Sequence, residues 1–172
     1  MKRKVLSILV ENTSGVLSHV SGLFSRRGYN IDSISAGVTA DPRFTRITIV
    51  SSGDELLLEQ IEKQVAKLED VVDIKILKNT ASVTRELMLC KISTKVKEDQ
   101  KSVFSLKDMI DNFHGKVVDQ TPDSVVVEVT GNTDKLDSFL EMVGSYEILE
   151  LARTGLTGLS RGADDVFFPA KQ

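Results

Sequence analysis

The sequence predicts an α+β protein made of two tandem βαββαβ repeats. Apolar residues switch between strand and helix periodicity in a fixed order, and that order returns about 80 residues later. Turns that contain proline and aspartate fall at equivalent positions in the two copies, at 41–42 and 122–123. The chain of 172 residues is long enough for two small units, which we expect to span residues 1–79 and 80–172.

The first repeat opens with an apolar run at 5–10 that predicts a strand. The turn at Asp41-Pro42 separates two alternating runs, which indicates an antiparallel pair. Asp54 is placed to cap the second helix, whose buried side is formed by apolar residues at helical spacing. The predicted elements are strand 3–11, helix 15–27, strand 29–39, strand 44–51, helix 54–69 and strand 71–78.

The second repeat follows the same order, with a turn at 121–124 and a helix start at Thr133-Asp134. We expect the glycine-spaced segment 155–162 to be irregular. The apolar end, Phe167-Phe168-Pro169, is expected to tuck onto the body or to be held by a partner. The predicted elements are strand 84–94, helix 103–113, strand 115–120, strand 124–130, helix 133–143 and strand 146–152.

Composition excludes several classes of protein. The net charge is −3, from 22 basic and 25 acidic residues, which argues against general binding to a nucleic-acid backbone. No apolar run approaches the roughly 20 residues of a membrane span, and the basic N-terminus lacks the features of a secretory signal. The single cysteine, Cys90, rules out an internal disulfide. We therefore expect a protein of the reducing cytoplasm.

The sequence shows no catalytic site and no metal site. His19 and His114 fall in different repeats, and neither has the cysteine or acidic spacing of a zinc motif, so we expect exposed or packing roles for both. No Gly-x-Ser-x-Gly elbow and no Gly-x-Gly-x-x-Gly dinucleotide motif is present. An enzyme in its own right is therefore disfavoured.

The loop between the first strand and the first helix has the features of a small-ligand site. At such a junction the first N–H groups of the helix lack partners and the helix dipole is positive, which favours a carboxylate. Asn12 adds a side-chain amide, and Gly15 allows close approach to the backbone and a positive φ. The corresponding stretch of the second repeat, 95–101, is charged and contains no glycine. Only the first repeat keeps such a loop, although asparagine or serine before a helix is most often a simple cap.

Asn30 strengthens the case for a ligand, because we expect it to begin the strand beside the first one and to face the same crevice. Val16, Leu17 and Ile31 are placed to line the apolar side of a pocket. A free amino acid needs donors for its carboxylate, acceptors for its ammonium group and a pocket for its side chain. These residues supply all three.

Four stretches carry a resemblance to a known family. They are VENTSGVLS at 10–18, GLFSRRGYNI at 22–31, QIEKQ at 60–64 and GLTGLSRG at 155–162. The βαββαβ unit with an Asn-x-x-Gly loop resembles the ACT family of amino-acid-sensing regulatory domains. Together the four stretches are similar to the small regulatory subunits of acetolactate (acetohydroxyacid) synthase, and the resemblance covers nearly the whole chain.

The resemblance implies two ferredoxin-like repeats, the first an ACT domain, in a homodimer whose ACT units form a continuous eight-stranded sheet with helices on one side. Valine is the effector that it implies. Leucine and isoleucine remain alternatives, because pockets discriminate a methylene by only about 1–3 kcal/mol. The implied effector site combines Asn12, Gly15, Val16 and Leu17 of one protomer with Asn30 and Ile31 of its partner.

The resemblance also implies a partner, the catalytic large subunit, which uses thiamine diphosphate, Mg²⁺ and FAD in branched-chain amino acid biosynthesis. None of these cofactors has a binding motif in this chain. The small subunit would activate that enzyme and confer feedback inhibition by valine, with the second repeat and the tail holding the catalytic chain. The alternative is a free-standing ACT sensor that controls another enzyme or a transcription factor.

Overall fold

The structure is a computed structural model that describes residues 2–98 and 104–163. Within these residues the chain divides into two compact units, one formed by 2–84 with 156–163 and the other by 85–155. The α+β class and the tandem arrangement of two sheets with helices are confirmed.

The first unit is a four-stranded antiparallel sheet in the order β2-β3-β1-β4. Its helices pack on one face, because alternate residues of β1 and β3 point to that side and are buried with the apolar stripes of both helices. The elements are β1 (Lys2–Glu11), α1 (Val16–Arg27), β2 (Ser33–Val38), β3 (Phe44–Gly53), α2 (Glu55–Val65) and β4 (Val71–Ile76).

The second unit repeats this plan with a sheet in the order β6-β7-β5-β8. Its core joins alternate residues of β5 and β7 to the helices, with Phe139 fully buried and Phe113 packed edge-on against it at 5.5 Å between ring centroids. The elements are β5 (Ser82–Val96), α3 (Leu106–Asn112), β6 (Lys116–Gln120), β7 (Ser124–Gly131), α4 (Thr133–Met142), a 3₁₀ turn (Val143–Ser145) and β8 (Tyr146–Arg153).

The second helix and the second strand of the first repeat are shorter than predicted. The second helix ends at Val65 rather than at residue 69. The strand expected at 29–39 begins only at Ser33, because Gly28 ends α1 in the left-handed region (φ 66°) and Tyr29 then turns into the core against Phe24.

The prediction of an irregular segment at 155–162 is wrong over four residues, which form a ninth strand, β9 (Thr157–Ser160), paired with β5. Just before it, Leu156 is buried with Val5, Val50 and Leu77. The Leu156 carbonyl accepts a hydrogen bond from Ser35 Oγ at 2.9 Å. We call residues 155–161 the strap.

The strap changes the domain boundary expected from the sequence, where 80–172 formed the second domain. Residues 156–163 group with the first unit, because Leu156 covers apolar residues that the two helices leave open. The Arg161 N–H also donates to the Ala81 carbonyl at 2.8 Å. The expected packing of Phe167-Phe168-Pro169 lies outside the described residues.

Gly158 of β9 provides a test of the strap. A Cβ at this position would lie 2.8 Å from Leu77 Cδ1 and 3.0 Å from the Val83 carbonyl oxygen. Gly158→Ala therefore forces the strap away from these two residues. We expect this substitution to lower the free energy of unfolding by about 1–3 kcal/mol in urea titrations. Gly144→Ala is the matched control, because nothing lies within 4 Å of its Cβ position. Equal stability of the two variants would show that the strap contributes no packing.

Candidate functional site

The N-terminus of α1 differs from those of the other three α-helices that the structure describes. Gly15, its capping residue, has φ 91° and offers no side-chain hydrogen bond, and the first turn contains no acidic residue. The other three helices all have a side-chain cap and an acidic residue in the first turn. These caps are Asp54 on Leu57 N–H, Ser105 on Asp108 N–H and Asn132 on Lys135 N–H.

The positive end of the α1 dipole, equivalent to roughly half an elementary charge, is therefore not neutralised by a side chain of its own cap or first turn. Gly15 is exposed, and a Cβ there would meet only the ring of His19 within 4 Å. The predicted positive φ at Gly15 is confirmed. The arrangement can receive a small carboxylate at an open helix end.

Asn12 holds this loop in place. Its Nδ2 donates to the Pro42 carbonyl at 2.9 Å, and its Oδ1 accepts from Thr45 Oγ1 at 3.1 Å. Its backbone N–H donates to the Arg43 carbonyl at 2.7 Å. The side-chain amide is thus engaged with the β2–β3 turn, and this tie fixes the loop from which α1 starts.

Val16 and Leu17 have different surroundings. Val16 is buried in the first core and anchors the start of α1. Leu17 keeps 46% of its surface exposed, so its side chain is available to the apolar part of a ligand.

His19 also lies beside the loop, where no role was predicted for it from the sequence. Its Nδ1 is 2.6 Å from Asp70 Oδ2, and its Nε2 is 3.9 Å from the position of a Gly15 Cβ. Asp70 is in turn joined to the loop, because its carbonyl accepts from the Glu11 N–H at 2.9 Å. The spacing of four residues between Gly15 and His19 places both on one helix face. This spacing could have indicated from the sequence that His19 lies beside the loop.

Asn30 does not lie where it was expected from the sequence. The strand that follows it, β2, pairs with β3 and is separated from β1 by that strand, so the expectation that Asn30 begins the strand beside β1 is wrong. Pattern alone gives the order of strands along the chain and not their order in the sheet.

Within one protomer, Asn30 and Ile31 lie at the opposite end of the sheet from Gly15. Ser33 of β2 is level with Val5 of β1, whereas Val38 is level with Val10, next to the loop. The twelve residues of α1, about 18 Å at 1.5 Å per residue, lie between the two groups. A single chain therefore does not bring the six predicted residues around one small ligand.

The segment with Asn30 and Ile31 is tied to β3. Ser51 Oγ donates to the Asn30 carbonyl at 2.6 Å, and the Asp32 N–H donates to the Val50 carbonyl at 2.8 Å. Ile31 is half-buried against the first core, and the Asn30 side chain is exposed. This segment presents an amide beside an apolar residue.

In the second unit, the helix after the first strand, α3, begins at Leu106 and is capped by Ser105. Part of the charged stretch 95–101 lies outside the described residues.

Burial raises the pKa of the Cys90 thiol to about 11, so this cysteine stays protonated at neutral pH. In 2–98 and 104–163, no cluster of three or more His, Cys, Asp or Glu residues is suited to a metal ion. No helix in those ranges is long and apolar enough to cross a membrane.

Comparisons with known proteins agree with this architecture. The family model described as the AHAS small subunit-like ACT domain matches residues 6–73. A second model, described as the small subunit of acetolactate synthase, matches residues 85–162. The two matches fall on the two repeats.

Individual relatives match over almost the full chain. The probable acetolactate synthase small subunit of Methanothermobacter thermautotrophicus is 43% identical, over 92% of this chain and 93% of that one. The isozyme 3 small subunit of Salmonella typhimurium is 46% identical, over 93% and 96%. The crystal structure of the acetolactate synthase small subunit from Thermotoga maritima superposes with a TM-score of 0.82 at 33% identity, over 95% and 99%. The chain belongs to the family of acetolactate synthase small subunits.

Proposed function

We propose that this chain activates the catalytic large subunit of acetolactate synthase and confers feedback inhibition by valine. Membership of a small-subunit family implies a catalytic partner and favours this role over that of a free-standing sensor. The observation that carries the effector proposal is the open N-terminus of α1, where neither the cap nor the first turn supplies a side chain to the dipole. The thiamine diphosphate, Mg²⁺ and FAD of the reaction would belong to the catalytic partner.

A homodimer would complete the effector site. β2 is an edge strand with two large exposed apolar side chains, Ile34 and Val38, and its outer backbone groups can pair with another strand. If two copies of β2 pair antiparallel about a two-fold axis, the start of each strand lies against the end of the other. Asn30 and Ile31 of one protomer would then reach the end of the sheet that carries Asn12 and Gly15 of its partner.

Regulation follows from a ligand that touches two chains. Valine bound between protomers would favour the dimer arrangement in which both sets of contacts form. A coupling free energy of about 1–3 kcal/mol between this dimer arrangement and the interaction with the catalytic subunit is sufficient for strong inhibition.

The direct test is acetolactate formation by the purified catalytic subunit of the same source, with and without this chain, during a valine titration. Stimulation that valine reverses supports the proposal. If the chain changes neither the rate nor the inhibition, a free-standing sensor becomes the better account.

A negative charge introduced at the start of α1 gives a sharper test. We expect Gly15→Asp to abolish inhibition by valine and to retain activation, because its carboxylate would stand where the carboxylate of valine binds. Gly15→Asn is the matched control, since asparagine tolerates φ 91° about as well as aspartate but carries no charge. Valine sensitivity should survive better in this control. Normal inhibition of the Gly15→Asp holoenzyme would show that the pocket is wrong.

The contact with the catalytic subunit can be tested on β8, where Ile148, Leu149 and Leu151 are exposed. Removal of all residues after 80 would be a less specific test, because it also takes Leu156 from the first unit. We expect Leu149→Lys to weaken binding to the catalytic subunit about tenfold, measured as the concentration needed for half-maximal activation. Leu56→Lys, at a more exposed leucine of α2, is the control. A larger loss of binding in the control would indicate that the catalytic subunit contacts the first unit instead.

A further inference from the structure

We propose that Asp32 is a positioning residue that fixes the direction in which a bound amino acid lies in the effector site. This inference rests on the proposed function and adds to it the orientation of the bound ligand. The ammonium group of the ligand would face Asn30 of one protomer, and its carboxylate would face the α1 N-terminus of the other.

Asp32 decides which way the amide of Asn30 points. Asn30 Nδ2 donates to Asp32 Oδ1 at 2.5 Å. An ionised carboxylate has no hydrogen to donate, so the amide must turn its NH₂ group toward Asp32. Asn30 Oδ1 is then directed away from the carboxylate as an acceptor, and it receives no hydrogen bond from any residue that the structure describes.

Asp32 is itself held from the other side. Its Oδ2 accepts a hydrogen bond from Ser52 Oγ, and its backbone N–H is bonded to the Val50 carbonyl of β3. Both oxygens of the carboxylate are thus used, one by the strand and one by Asn30. The orientation of the amide is determined by a carboxylate that β3 fixes in place.

The charge of Asp32 acts in the same direction. Among the side chains described, no lysine, arginine or histidine lies within ion-pair distance of this carboxylate. Its negative charge favours an ammonium group near Asn30 and disfavours a carboxylate there. The α1 N-terminus has the opposite preference, so the two halves of the composite site select opposite ends of an amino acid.

The experiment uses the full-length protein and isothermal titration with three probes: L-valine, L-valinamide, which keeps the ammonium group, and 3-methylbutanoate, which lacks it. We expect Asp32→Asn to weaken the binding of L-valine and of L-valinamide about tenfold, because the Asn30 amide becomes free to flip and the negative charge of Asp32 is removed. The affinity for 3-methylbutanoate should hold or rise. Glu59→Gln, which removes an exposed carboxylate of α2, is the control and should change none of the three.

Equal weakening of all three probes by Asp32→Asn would overturn the inference, because it would indicate a structural role only. Unchanged affinities would overturn it as well. If Asp32→Asn fails to fold, Ser52→Ala keeps the carboxylate but releases its other oxygen, and a smaller loss confined to the two ammonium probes is expected. If the unaltered protein binds neither L-valine nor L-valinamide, the proposed effector function fails, and this inference fails with it.

Discussion

The length of α1 is the constraint on which the proposed site depends. The helix starts at the end of the sheet that carries Asn12 and Gly15, and it ends at the opposite end of the sheet, where Asn30 follows. A ligand the size of valine cannot reach across about 18 Å. The two polar groups proposed to bind an amino acid therefore meet only if a second chain supplies one of them, so the proposed recognition of an effector depends on how two protomers are arranged.

The remaining features of the first unit keep these two groups in place. Asn12 ties the loop to the β2–β3 turn, and the Ser51 and Ser52 hydroxyls tie the segment at 30–32 to β3. Both groups are thus attached to β3, the strand between β1 and the edge strand β2. On the face without helices, the strap adds a hydrogen bond from Ser35 of β2 to Leu156. The strand proposed as the protomer interface is therefore also in contact with the strap.

Much of this fold could be predicted from the sequence, because the alternation of strand and helix periods is local information. The left-handed turn at Gly15 and the Asp54 cap were predicted for the same reason: each depends on one or two residues. The position of Asn30 in the sheet could not be predicted in this way, since strand order depends on which hydrogen-bonding edges meet after the chain folds. β9 was missed because four residues with a glycine carry little periodicity, and Leu156 is buried only by partners distant in the sequence.

The measurement that tests the central claim most directly is complementation between two defective chains. A chain with Gly15→Asp and a chain with Asn30→Ala would be tested separately and as a mixed dimer, by valine binding in isothermal titration. If the site is shared between protomers, neither homodimer binds valine, but the mixed dimer regains one intact site, formed by the normal loop of one chain and the normal Asn30 of the other. Failure of the mixed dimer to bind, or normal binding by either homodimer, would contradict a site built from two chains.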